Sequence, residues 1–161
     1  MQPSKRLYRA ILRDKLVEII RKTKLLEDGK VFANFPIRVP QDRLPCIYVS
    51  SPADRAEAIT VGTPVFKRTA TLVIQYFCSF VHTEDGTLQL DDILYQLEDA
   101  IMCDYEFQQL VERISSFDTD VIFNADTSKP IAEIRFVMTC EYHENYHPVG
   151  PELTHISGQT I

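Results

Sequence analysis

One short string near the end of the chain matches a catalytic pattern. His143, Glu144 and His147 spell H-E-x-x-H, with which zinc proteases hold a metal ion between two histidines and use the glutamate as general base. That chemistry needs the two histidines one helical turn apart on one face of a helix. An extended version of the pattern adds a third histidine, but Leu153 occupies that position and His155 comes two residues late.

The segment before this string predicts a strand and not a helix. From Ile131 to Tyr142, apolar and polar residues alternate with the period of a half-buried sheet. Pro148 and Pro151 prevent a helix from continuing beyond the string. In an extended segment the two imidazoles would lie about 13 Å apart, too far to share one ion. We therefore predict that this string holds no metal and no cofactor. The alternative is an enzyme, a small metal-dependent hydrolase that uses the string.

No other catalytic arrangement stands out in the sequence. Phosphate-binding glycine loops and nucleophile elbows are absent, because the five glycines are scattered. Adjacent acids such as Asp91-Asp92 and Glu98-Asp99 fall on a helix exterior, where carboxylates are usually solvated. We predict a protein without catalytic residues or a small-molecule substrate.

Composition and length favour an ordinary cytoplasmic domain. The 161 residues suit one domain, with 45% apolar and 25% charged residues. Apolar runs are too short to span a bilayer, and the N-terminus lacks the apolar region of a signal peptide, so no membrane contact is expected. Four cysteines without a C-x-x-C pair predict buried, reduced thiols.

The charge is distributed unevenly along the chain. Residues 1–25 contain eight Lys or Arg and two acids, whereas the net charge of the whole chain is −6. The basic opening helix indicates a solvated face, a contact with an acidic patch of another subunit, or binding to nucleic acid or lipid. The acidic remainder argues against tight binding to polyanions as the main role. A nucleic-acid adaptor that uses the first helix is a further alternative, with salt-dependent DNA binding as its test.

The hydrophobic periods predict an α+β fold. The predicted elements, in order, are a helix from Ser4 to Leu26, a Pro-rich stretch to Pro45, a short strand over 46–50, an exposed loop or mobile hairpin arm over 52–64, a strand over 65–81, a turn over 82–86, a helix over 90–101, a further helical turn or two within 105–114, and a hairpin of strands 117–124 and 131–142.

This order predicts a single domain over residues 1–147 and a flexible C-terminal tail over 148–161. An antiparallel or mixed sheet with the two main amphipathic helices on one face is the simplest arrangement. The second face of the sheet would carry Val73, Phe77, Ile131 and Val137 among polar residues. Surfaces of this kind are often covered by another subunit.

Several segments together resemble the tail terminator proteins of long-tailed bacteriophages and prophages. The resemblance lies in the opening helix from Arg6 to Leu26, the phrase from Leu44 to Ser50, the long strand from Arg68 to Phe80, the helix from Leu90 to Ile101, and the closing strand ending in Glu141-Tyr142. The 52–64 loop is similar to the variable arm of that family.

The resemblance implies a ring, usually of six subunits, that docks on a finished tail tube, stops its growth and presents a surface to the head-neck connector protein. No catalysis is implied, DNA only passes through the ring, and the protein moves from the host cytoplasm into the virion tail. A head-completion or neck protein is the nearest alternative. We predict subunit or tube contacts at six positions: Arg9, Arg13, Arg55, Glu57, Phe77 and Val137.

Overall fold

The chain forms a five-stranded sheet and three helices, and all of these elements except one short strand follow the order that the hydrophobic periods predict. The computed structural model describes residues 6–36, 38–39, 41–80, 84–124 and 130–147. Within them the elements are α1 (Tyr8–Lys22), β1 (Val31–Phe32), β2 (Cys46–Ala58), β3 (Val65–Ser79), α2 (Glu84–Met102), α3 (Tyr105–Leu110), β4 (Arg113–Asn124) and β5 (Ile131–Asn145), with 3-10 turns at Asp28–Lys30 and Gln41–Arg43. The predicted tail over 148–161 lies outside the described residues.

The sheet is mixed, with strand order β1-β2-β3-β5-β4. The short β1 pairs in parallel with β2, and the other neighbours are antiparallel. The predicted hairpin is confirmed as β4 and β5, and β3 pairs with β5 over its whole length. The long β3 and β5 therefore form the centre of the sheet, and β4 is one edge.

The helices cover one face of the sheet, as predicted for this α+β class. Alternate residues of β3 and β5 are buried on that face, and apolar residues of α1 and α2 pack on them. The fully buried side chains include Leu12, Leu16, Ile20, Leu72, Ile74, Leu97, Ile101, Phe107, Ile134, Phe136 and Met138. Burial of this apolar surface is the main stabilising term of the fold.

Several boundaries differ from the predicted ones. α1 ends at Lys22, four residues earlier than predicted, because Thr23 bonds back to Ile20 and Lys24 has a left-handed backbone with φ of 57°. α2 begins at Glu84 inside the predicted turn, since Glu84 and Asp85 suit the positive end of a helix dipole. Ser4, where the predicted first helix begins, lies outside the described residues.

β2 is more than twice as long as the predicted strand. A bulge lies between Ser50 and Ala53, where Ser51 and Pro52 stand opposite one residue of β3. A bulge accommodates proline, which has no N–H to donate to the ladder. Beyond the bulge the pairing resumes as far as Ala58, so the segment predicted as a loop or a hairpin arm is an arm.

Candidate functional site

The H-E-x-x-H string lies along the end of β5, and not after the strand as predicted. His143 and Glu144 pair in register with Lys67 and Phe66 of β3, so their side chains project from opposite faces of the sheet. His147 follows the strand and is exposed. This backbone does not bring the three side chains around one ion. Among the described residues, no three His, Cys, Asp or Glu side chains are grouped to hold a metal.

His143 instead belongs to an ionic network on the sheet face away from the helices. Its Nδ1 lies 2.8 Å from Glu112 Oε2. The neighbouring Glu141 accepts two hydrogen bonds from Arg113, at 2.6 and 3.0 Å, and lies 3.2 Å from Lys67 Nζ. The Arg113 hydrogen bonds, with a smaller effect of Lys67, lower the pKa of Glu141 to about 2. The network therefore joins β3, β4 and β5 and keeps Glu141 ionised at neutral pH.

The predicted contact residues Arg55 and Glu57 lie on the arm. The arm is three-stranded, formed by β2 from Ala53 onward with the facing parts of β3 and β5. Arg55 and Glu57 project from one face of the arm and form an ion pair at 3.0 Å. Both side chains are largely exposed. At the tip, Val61 is 97% exposed and Gly62 has a left-handed backbone with φ of 93°.

A polar cluster lies at the root of the arm on the helical side of the sheet. Tyr142 donates a 2.7 Å hydrogen bond to Asp54 Oδ2. Arg68 lies 3.6 Å from Asp54 Oδ1 and 2.8 Å from Glu144, and it donates to the Tyr146 hydroxyl at 2.7 Å. Burial and the Asp54 hydrogen bond raise the pKa of Tyr142, so its hydroxyl remains a donor at neutral pH.

This root cluster is connected to two helices. The ring of Tyr8 in α1 packs on the ring of Tyr142, with centroids 4.5 Å apart. The Tyr8 hydroxyl donates to the carbonyl of Leu110 at the end of α3, at 2.5 Å. The arm is thus fastened to the helical layer by a chain of contacts from Asp54 to Leu110. The sequence predicted Tyr142 as a buried strand residue but gave no sign of its partner.

Phe77 and Val137 both face away from the helices, as predicted, but they do not lie together. Val137 stands opposite Val73 of β3 and is half-buried. Phe77 meets the ring of Tyr48 edge-on at 6.1 Å, and Tyr48 stacks on Phe32 at 5.0 Å. Sequence reasoning missed this aromatic group, because β1 lies in a Pro-rich stretch where no strand was predicted.

Arg9 and Arg13 of α1 are brought together beside a groove of about 300 Å³. Leu7 and Phe35 also line it and are 65% and 54% exposed. Ser51, from the bulge of β2, lies in the same groove, and its buried Oγ has no hydrogen-bond partner among the described residues. We call these five residues the α1 groove.

The outer face of α2 is acidic. The helix contains six acidic and no basic residues, and none of the six forms an ion pair with a described residue. Its exposed side carries Leu88, Asp91, Asp92, Tyr95 and Asp99, which we call the α2 ridge. Leu88 and Tyr95 are 60% and 66% exposed. Helical spacing places these five residues on one stripe.

The cysteines do not form a reactive centre. Cys46 and Cys140 are buried and Cys78 is half-buried, but Cys103 is exposed, so the prediction of buried thiols is wrong at that position. Burial raises the pKa of Cys140 to about 12 and also raises the pKa of Cys78, which lines a cavity of about 470 Å³ with Tyr76. These thiols are therefore protonated at neutral pH and are poor nucleophiles.

No protein-family model matches the chain, and no curated protein matches it. Among the described residues, no helix has both the length and the apolar character needed to cross a membrane.

The six predicted contact positions form three separate groups in the structure. Arg9 lies with Arg13 at the α1 groove, Arg55 lies with Glu57 on the arm, and Phe77 and Val137 both lie on the open sheet face.

Proposed function

We propose that this chain is a tail terminator of a long-tailed bacteriophage or prophage. In this role its copies form a ring on the end of the tail tube, stop tube polymerisation and provide the surface for the head-neck connector protein. The ring assembles in the host cytoplasm and remains in the virion tail, with DNA passing through it. In this role the chain is a structural subunit that acts through its surfaces.

The observation that carries this proposal is the uncovered face of the sheet. The helices pack on one face only, and the opposite face presents half-buried apolar side chains, with Val73 opposite Val137 and with Phe77 further along β3. Ile122 of the edge strand adds to this surface and is 37% exposed. Apolar side chains on an uncovered sheet face are often covered by another subunit. A ring subunit needs such a surface for its neighbour or for the tube.

The arm and the charge distribution also support the proposal. The arm extends the sheet beyond the helical layer and ends in exposed Ile59 and Val61, which are suited to contact with another chain. α1 has five basic and two acidic residues, whereas α2 has only acidic ones. Two surfaces of opposite charge on one subunit favour a heterologous contact between neighbouring subunits. Such contacts close a ring when the rotation between neighbours permits it. The helices and strands also follow the order of the segments in which the sequence resembles the tail terminator proteins.

The experiment that tests the proposal measures tube growth. Tube protein from the same phage or prophage is polymerised with and without the purified chain, and tube length is followed by light scattering and electron microscopy. We expect the wild-type chain to stop elongation. A Val137→Lys variant should lose this effect, because it places a charge in the apolar sheet face. Tyr105→Lys is the matched control, since Tyr105 is 75% exposed on α3, away from that face.

Two outcomes would contradict the proposal. Tubes that elongate equally with and without the wild-type chain would refute it, provided that circular dichroism shows a folded chain. Attachment to filled heads without any effect on tubes would support the head-completion alternative instead. If the wild type and Val137→Lys block tube elongation equally, the open sheet face takes no part in stopping the tube. The proposed role as a terminator would then still hold.

A further inference from the structure

The α2 ridge has the features of a surface that lacks its partner. Its face points away from the core, because the buried residues Leu90, Leu97 and Ile101 lie on the opposite side of the helix. Two large apolar side chains, Leu88 and Tyr95, stand on it with more than half of their surface exposed. Acidic residues with no ion pair inside the described part of the chain surround them. Such a stripe would suit a basic surface with an apolar centre.

The α1 groove has the complementary features. Leu7 and Phe35 provide exposed apolar walls, and Arg9 and Arg13 provide positive charge. Arg9 forms no ion pair with any residue in the described ranges, and Arg13 is bonded to its neighbour Asp14. The groove has room for one aromatic side chain. At its wall, the Ser51 hydroxyl lacks the hydrogen bond that a buried polar group normally has.

We propose that the α2 ridge of one copy docks into the α1 groove of a second copy of this chain. Tyr95 enters the groove between Leu7 and Phe35, where its hydroxyl can bond to Ser51. Asp91 and Asp92 then face Arg9 and Arg13. This inference rests on the proposed function, in which the second copy is the neighbour in the ring.

The same geometry explains why docking would continue until a ring closes. Ridge and groove are different surfaces on different helices, so each contact is heterologous and leaves one free ridge and one free groove. Buried Tyr and Arg side chains commonly supply most of the affinity of an interface. The opposite charges would mainly set the register and the association rate, and salt should weaken the contact.

The test uses two charge-reversed variants that each retain one surface. D91K/D92K has an altered ridge and an intact groove, whereas R9E/R13E has an intact ridge and an altered groove. Each variant alone should fail to associate, because its ridge and its groove then carry charges of the same sign. Their mixture should associate in alternating copies, since each ridge meets a groove of opposite charge. A chain carrying all four substitutions should regain self-association. Sedimentation velocity measures all of these states, and circular dichroism checks that every variant is folded.

Tyr95→Ala provides an independent measurement. Introduced into both variants, it should weaken their association by about tenfold or more. Leu110→Ala is not a suitable control because Leu110 packs against the core, so Tyr105→Ala on the exposed side of α3 serves as the matched aromatic control and should leave binding unchanged.

The inference is overturned if the two variants form no complex under conditions where wild-type copies associate, or if either variant self-associates like the wild type. If wild-type copies associate only on tubes, the same variants are scored there, and the mixture should occupy tube ends that neither variant occupies alone. Wild-type capping of tubes without ridge-to-groove binding refutes this inference alone. Ridge-to-groove binding without any effect on tubes refutes the proposed function alone.

Discussion

The root of the arm provides a quantitative test through Tyr142→Phe. This substitution removes one hydroxyl and retains the ring that packs on Tyr8 with centroids 4.5 Å apart. The hydroxyl donates to Asp54 Oδ2, and the Asp54 side chain is only 10% exposed. Asp54 Oδ1 already has no hydrogen bond to a described residue. The variant therefore leaves a buried carboxylate whose remaining polar neighbour is Arg68, at 3.6 Å.

We expect this loss to lower the free energy of unfolding by about 2 kcal/mol, the usual scale for a hydrogen bond to a charged group. Packing should contribute little, because the aromatic ring is unchanged. Burial raises the pKa of the Tyr142 phenol, so the effect should persist from neutral to mildly alkaline pH.

Urea unfolding followed by circular dichroism measures this free energy. Tyr105→Phe is the matched control, because Tyr105 is 75% exposed, and its effect should stay within about 0.5 kcal/mol. Asp54→Asn combined with Tyr142→Phe should be non-additive, since the two residues share one hydrogen bond. A Tyr142→Phe effect no larger than that of the control, or strict additivity with Asp54→Asn, would refute the reasoning.

Three further predictions concern the ionic network, the core and the histidines. The pKa of Glu141 is lowered from 4.5 to about 2, so its network stabilises the fold above pH 4.5 and this contribution is lost as pH falls toward 2; Glu141→Gln should flatten that part of the melting-temperature profile. Phe136→Ala should cost about 3 to 5 kcal/mol in urea unfolding, because Phe136 is fully buried, and a smaller loss would mean that the core closes around the cavity. His143→Ala and His147→Ala should leave the zinc content of the purified protein unchanged, and a stoichiometric ion lost in both variants would contradict the strand geometry.

Most of the fold could be predicted because one face of the central strands is buried. The alternation in β3 and β5 reflects a boundary between core and open face, and a period-two pattern records that boundary directly. The outer part of β2 has no such boundary. From Ala53 to Ala58 most side chains on both faces are exposed, so no alternation marks this segment as a strand. Its pairing with β3 depends on tertiary contacts that the sequence pattern does not contain.

The candidate surfaces could be predicted only in part, for a similar reason. Helical spacing indicated that Arg9 and Arg13 share a side of α1, and the acidic character of α2 was evident from composition. The arrival of Phe35 and Ser51 beside Arg9 depends on how β1 and the bulge of β2 pack beside α1. Local periodicity carries no information about such distant neighbours.

The proposed role as a tail terminator is tested by locating the protein on assembled tails. Tail tubes are formed in the presence of the chain carrying a gold-labelled affinity tag and are imaged by electron microscopy. We expect label at one end of each tube, in a ring, on tubes that have stopped growing. Label spread along the tubes, or free in solution beside unlabelled tube ends, would contradict it.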